Sequence, residues 1–122
     1  MLLEEDLCYR VQGCVYEVYR QLGCGFLEKV YERALARELE LHQLKVACQV
    51  PFHVEYKGVA VGEYFADLVV ENAVLIELKA QDTIPAKAWE AQLLNYLHAS
   101  GIRLGLLVNF RYPKATVKRM VV

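Results

Sequence analysis

Apolar positions recur at three- and four-residue spacing through Leu7, Val11, Val15, Val18 and Leu22, which places them on one face of a helix. The glycines of Gly23-Cys24-Gly25 predict where it stops, because glycine favours a helix C-cap and a sharp turn. A second helix is predicted from Leu27, Tyr31, Leu35 and Leu39, spaced by fours. At Val46 the period falls to two: Val46, Cys48, Val50, Phe52, Val54 and Tyr56 alternate with more polar neighbours, as in a half-buried strand. Pro51 has no ladder donor, so this strand is expected at a sheet edge or broken there. Lys57-Gly58 then turns the chain into a strand from Val59 to Val70, and Glu71-Asn72-Ala73 returns it through Val74 to Ala80. Short connections of this kind predict an antiparallel meander. Pro85 suits the first turn of a third helix, and Gly101 suits its C′ position. Leu104 to Phe110 is almost wholly apolar, as expected in mid-sheet with both faces covered, and Val117 to Val122 would add a short edge strand. The order ααβββαβ(β) predicts an α/β (α+β) fold, a mixed β-sheet flanked by helices. Without a linker, repeat or low-complexity stretch, residues 1–122 read as one domain.

Composition adds little to that picture. The hydrophobic content of 56% exceeds that of an average globular chain and leaves apolar surface for self-association. The net charge of −1 announces no polyanion partner, yet no acid follows Glu90 while Arg103, Arg111, Lys114, Lys118 and Arg119 do. That basic segment is expected either to track a phosphate backbone or simply to solvate an edge strand. Cys8, Cys14, Cys24 and Cys48 form no C-x-x-C pair, and three of them fall in helical patterns as small hydrophobes, so a reducing cytoplasm without disulfides or structural zinc is expected. His42, His53 and His98 are too scattered for an H-x-x-x-H pair, which leaves metal chemistry to oxygen ligands. The acidic start Glu4-Glu5-Asp6 does not suit a secretory leader, and no apolar run reaches the ~18 residues of a membrane span.

Charge interrupts the apolar strands at Phe65-Ala66-Asp67 and Ile76-Glu77-Leu78-Lys79. Glu77 and Lys79 lie two apart on a strand and point to one face. With a three-residue loop Val70 pairs with Val74 and Asp67 falls opposite Glu77; a two-residue loop would pair Val70 with Ala73 and turn Asp67 away. In the first register the carboxylates approach within ~5 Å at Cα, an arrangement that needs a compensating charge. A magnesium-type cation supplies it, since it favours hard carboxylate oxygens. The plainer reading is a solvated sheet face with Lys79 paired to Glu77. On the third helix Gln92 and Tyr96 share a face at i and i+4, beside the stripe of Trp89, Leu93 and Leu97; they would orient a water or a phosphate, or be an exposed Gln beside a core-edge Tyr. Glu28, three residues before Tyr31, would complete a metal site, or cap its own helix at N3 with Gly25 as N-cap. Tyr31 belongs to the leucine stripe.

Taken together, Gly25-Phe26-Leu27-Glu28-Lys29-Val30-Tyr31, Ala66-Asp67 with Ile76-Glu77-Leu78-Lys79, and Ala91-Gln92-Leu93-Leu94-Asn95-Tyr96-Leu97 resemble the small bacterial and archaeal GxxExxY proteins. These are placed in the PD-(D/E)xK nuclease superfamily, with its restriction-endonuclease-like fold, and the resemblance spans roughly Val15 to Val121. It implies Asp67 and Glu77 as metal ligands, with the backbone carbonyl of Leu78 as a further one. It also implies Lys79 as the catalytic lysine, Glu28 as the acid of the first helical motif, and Gln92 with Tyr96 as the Q-x-x-x-Y element of exonuclease-like branches. Ala66 stands where the superfamily name has proline. The expectation is a nuclease dependent on Mg2+ or Mn2+, acting on DNA rather than RNA, with Arg103, Arg111, Lys114, Lys118 and Arg119 along the flanking backbone. Duplex cleavage would need two sites, which points to a homodimer. The alternative is a non-catalytic nucleic-acid-binding or self-associating module of the same fold.

Overall fold

A computed structural model describes residues 4–81 and 86–122. Helix α1 (Glu5–Leu22) buries Cys8, Val11, Cys14, Val15 and Val18, the central part of the apolar stripe. It ends at Gly23, whose φ of 69° is easy only for glycine and whose N–H donates to the Tyr19 carbonyl at 2.7 Å. Helix α2 (Glu28–Leu41) buries Tyr31, Glu32, Leu35, Ala36 and Leu39. Leu27 is not part of that face: it is the extended N-cap residue and is 77% exposed. Glu28 is therefore the first helical residue, and the N3 capping role with Gly25 as N-cap does not apply. Cys24, expected in a helix, lies exposed in the turn between the two, and all four cysteines are free thiols.

The sheet contains β1 (Val46–Tyr56), β2 (Val59–Val70), β3 (Val74–Lys79), β4 (Leu104–Asn109) and β5 (Thr116–Val121), in spatial order β1-β2-β3-β4-β5. Neighbours are antiparallel except β3 and β4, which run parallel and are joined through helix α3 (Ala86–Ser100). The helix start expected at Pro85 lies outside the described residues. Pro51 is on an edge strand, as its missing donor requires, and β5 forms the other edge. Every residue of β4 is buried.

Two layers of helix cover the sheet. Helices α1 and α2 pack on Leu68, Val70, Val74, Ile76, Leu78, Leu104, Leu106 and Val108. On the other face Leu93 and Leu97 of α3 pack on Ala66, Val69, Leu75 and Leu107. Each such buried aliphatic side chain contributes roughly 1.5–3 kcal/mol relative to exposure, so the α1/α2 face holds most of the hydrophobic stabilisation. Among the described residues no helix is long and apolar enough to cross a membrane.

Two departures from regular pairing shape one end of the sheet. The loop Glu71-Asn72-Ala73 pairs Val70 with Val74, the odd-length register, and the β2–β3 ladder stops at Leu68 opposite Ile76. Beyond that rung, among the described residues, β2 is paired only with β1, as a two-stranded ribbon. In addition, β1 rolls over at Gln49, a non-glycine residue with φ of 52°. Val46 packs towards α1 and α2, whereas Val50 and Phe52 pack towards α3, although strict alternation would put all three on one face. Opposite Gln49, Asp67 sits at the same change of face between Ala66 and Leu68.

Candidate active site

The first rung beyond the β2–β3 ladder is Asp67 and Glu77. There the strands fork, and side chains take over from the ladder: the Asp67 N–H donates to Glu77 Oε1 at 3.3 Å, and the Leu78 N–H donates to Asp67 Oδ2 at 2.8 Å. Each acid thus satisfies a backbone donor of the opposite strand, which holds both carboxylates at the mouth of the fork. Glu77 is only 7% exposed. Lys79, two residues further along β3, sets its Nζ 5.3 Å from the ring centroid of Trp89 on α3.

The charges are poorly compensated. Burial, and then the neighbouring Asp67 charge, push the Glu77 carboxyl up to about 8, against the weaker pull of the Asp67 N–H and Lys79. Asp67 is also raised, chiefly by burial and further by the Glu32 charge, while the Leu78 N–H, Gln49 and Lys79 oppose the shift. Glu28, at the start of α2, is raised by burial, with Lys79 lowering it and Asp67 and Glu32 raising it further. The three acids therefore share one electrostatic neighbourhood, in which Lys79 is the lysine that acts on all of them. Glu28, Lys29, Glu32, Gln49, Asp67 and Leu78 line a cavity of about 220 Å³.

Other expected residues sort themselves. Tyr96 stacks on Tyr64 at 3.6 Å between centroids, and its hydroxyl is held above its ordinary value by burial and by the charges of Glu77 and Asp67. It therefore borders the acids from the α3 side. Gln92, one turn earlier, is exposed and makes no side-chain hydrogen bond among the described residues. Tyr31 is fully buried, stacked on Phe110 at 4.3 Å; its hydroxyl donates to the Gly23 carbonyl at 2.5 Å and accepts from the Phe26 N–H at 3.3 Å. It braces the turn that precedes Glu28.

The basic residues do not form one stripe. Arg103 precedes β4, at the end of the sheet away from Lys79, and its Nε donates to the Val122 carbonyl at 3.2 Å. Lys118 pairs with Glu90 of α3 at 3.0 Å. Arg119 follows it on β5 and points to the opposite face by alternation. Arg111 and Lys114 lie beyond Asn109, at the same end of the sheet as Lys79.

Two residues near the acids, and one that pairs with Lys79 across β3 and β4, were not singled out by their sequence. Glu32 is 6% exposed and accepts from Gln49 Nε2 at 2.5 Å and Lys29 Nζ at 2.9 Å. Gln49 also reaches Asp67 Oδ1 at 3.3 Å. Asn109 is buried and clamps Gln81 through both the N–H and the carbonyl of that residue, at 3.1 and 2.9 Å. The i,i+4 spacing of Glu28 and Glu32 was a visible sign that both acids share a helix face.

As a donor set, two converging carboxylates with raised protonation suit a hard divalent cation, whose charge would relieve their repulsion. They do not close into a finished cluster: among the described residues no three His, Cys, Asp or Glu gather as metal ligands.

No curated protein sequence matches the chain. Among solved structures it is similar to SSO0001, with a TM-score of 0.59 and 18% identity over 76% of this chain and 48% of that one. It is also similar to the alkaline exonuclease LHK-Exo from Laribacter hongkongensis, with a TM-score of 0.57 and 15% identity over 92% of this chain and 69% of that one. The chain thus spans about half the length of SSO0001. Both likenesses concern the fold, a mixed sheet flanked by helices of the restriction-endonuclease-like type. The sequence model of the PD-(D/E)XK nuclease superfamily matches residues 5–120, nearly the whole chain. The chain belongs to the PD-(D/E)XK nuclease superfamily.

Proposed function

We propose that this chain is a divalent-metal-dependent nuclease that hydrolyses phosphodiester bonds in DNA, and that within its superfamily it is of the GxxExxY type. The observation that carries the reading is the forked rung, where Asp67 and Glu77 bind each other's strands and stay short of positive charge. Asp67 and Glu77 would hold Mg2+ or Mn2+, with the Leu78 carbonyl as a further ligand and Glu28 at the margin of the site. When bound, such an ion supplies Lewis acidity and makes water a stronger nucleophile near neutral pH.

The chain's own residues do the rest. Lys79 brings an ammonium to the side of the fork where charge develops on a scissile phosphate, a role worth roughly 3–4 kcal/mol when such a donor is well placed. Trp89 beneath it restrains the flexible lysine stem. The Tyr96 hydroxyl borders the acids from α3 and would orient a water or a phosphate oxygen, with the exposed Gln92 amide one turn earlier on the same helix as its partner in that role. Arg111 and Lys114, at the same end of the sheet as Lys79, would contact the flanking backbone.

A labelled-DNA assay tests the proposal. Cleavage that requires Mg2+ or Mn2+, and that is lost in Glu77→Ala while the circular dichroism spectrum is kept, is the expected result. Salt-sensitive DNA binding without metal dependence, unchanged in an Asp67→Ala/Glu77→Ala double variant, would instead fit a non-catalytic module. That second reading draws on the ribbon, where Val54, Tyr56, Val59 and Val61 are exposed apolar residues suited to self-association.

A further inference from the structure

We infer that Gln49 and Glu32 act as a positioning pair for Asp67, with Gln49 setting the plane of its carboxylate and Glu32 setting the orientation of the Gln49 amide. This rests on the metal-dependent reading above and extends it to β1, which contributes no other residue to the site. Both Asp67 oxygens are engaged, Oδ2 by the Leu78 N–H at 2.8 Å and Oδ1 by Gln49 Nε2 at 3.3 Å. A carboxylate oxygen has two lone pairs, so each retains one for a cation while rotation about the Cβ–Cγ bond is blocked. Without Gln49, the backbone donor would hold only one oxygen.

The Gln49 amide could present either nitrogen or oxygen to Asp67. Glu32 decides which. Its Oε1 accepts from Nε2 at 2.5 Å, so the amide nitrogen serves two carboxylates with its two hydrogens, and the reversed amide would set oxygen against oxygen twice. Lys29 holds the other Glu32 oxygen at 2.9 Å. A plain i,i+3 ion pair between Lys29 and Glu32 explains neither the burial of Glu32 nor its reach from α2 to β1. The backbone of Gln49 points the same way. Its left-handed φ of 52° costs a residue with a Cβ on the order of 1–3 kcal/mol, and the roll of β1 at this position is what aims the side chain between Glu32 and Asp67.

Groups that orient a metal ligand from behind typically change metal affinity by about 10–100-fold when removed. The test is Mn2+ binding to the full chain, followed by electron paramagnetic resonance, alongside thermal melting. Gln49→Met, which keeps the length and removes the donor, is expected to weaken Mn2+ binding about tenfold or more with little change in Tm. Gln49→Asn tolerates the left-handed backbone but is too short to reach both acids, so it should weaken binding as well. Glu32→Gln should weaken binding in the native background and have no further effect in the Gln49→Met background. Wild-type affinity in Gln49→Met, or fully additive losses in the double variant, would overturn the pair. Asp67→Asn separates this from the underlying reading. If the native chain binds Mn2+, Asp67→Asn abolishes it and Gln49→Met leaves it intact, only the positioning role fails. If the native chain binds no Mn2+, the metal reading fails and takes the pair with it.

Discussion

Glu77 holds its proton far above the ordinary carboxyl range because its charged form would be buried beside Asp67. The consequence for stability has a definite sign. The folded-state value of about 8 lies above the ordinary 4.5, so between those limits the native state binds the proton that the unfolded chain releases. This contribution is complete below the ordinary value and is lost as pH rises towards 8. Urea titrations at pH 5, 7 and 9 without metal should therefore show a falling contribution, on the order of a few kcal/mol in all. Glu77→Gln should flatten that dependence and stabilise the metal-free protein at the alkaline end. Added Mg2+ should raise the stability of the native chain at pH 8 and leave Glu77→Gln nearly unchanged. Lys79→Met should leave the fold intact and reduce cleavage by about 100-fold or more, as loss of a transition-state donor does. The positions of Asp67, Glu77 and Lys79 on strands were legible because charges in apolar strands stand out, and a period of two puts Glu77 and Lys79 on one face; Asp67 lies where β2 changes face, which no alternation marks. Glu32 was only half legible: its spacing from Glu28 marks a shared helix face, but nothing along that helix shows the Gln49 partner from β1 that accompanies its burial.

Among elements, the β2–β3 register was open to reading because a one-residue change in loop length turns every side chain over. The roll of β1 was hidden, since Val46 to Tyr56 alternates without a visible break and nothing in that pattern marks Gln49 as left-handed. Leu27 misled for a related reason. Its spacing suits the leucine stripe, but the turn after Gly23 delivers it one residue before the helix begins. That turn depends on Tyr31, and Tyr31→Phe should cost about 1–2 kcal/mol in chemical denaturation by removing both hydroxyl bonds. Because the same turn carries Glu28 to the fork, cleavage should decline further than stability alone accounts for. Helix α3 approaches β4 closely at Gly105, where an added Cβ would meet Leu93 Cδ1 at 3.0 Å. Gly105→Val should cost about 1–3 kcal/mol by overpacking. It should also displace Trp89 and Tyr96 from the acids, a change that Trp89 fluorescence would report.

For the molecule as a whole, the fork is reached from both layers, by α2 with Glu28 and by α3 with Trp89 and Tyr96. The basic tail looked like one feature along the chain, yet folding distributes it over two faces and two ends, because alternation along β5 and the length of β4 separate its members. On the proposed nuclease reading, DNA binding should follow position and not charge count. Arg111→Ala and Lys114→Ala should each weaken affinity and lower the salt slope by about 1, whereas Arg103→Ala should leave both nearly unchanged. Among the described residues the ribbon that β1 and β2 form past Asp67 has no third strand beside it, so its amide hydrogens lack the shelter that neighbours give β3 and β4. Deuterium uptake should therefore begin there, through partial openings that leave the centre of the sheet intact, and reach β3 and β4 only when the whole molecule unfolds. The acids sit on the boundary between those two regimes, so a bound cation should slow exchange at the root of the ribbon while its tip continues to exchange freely.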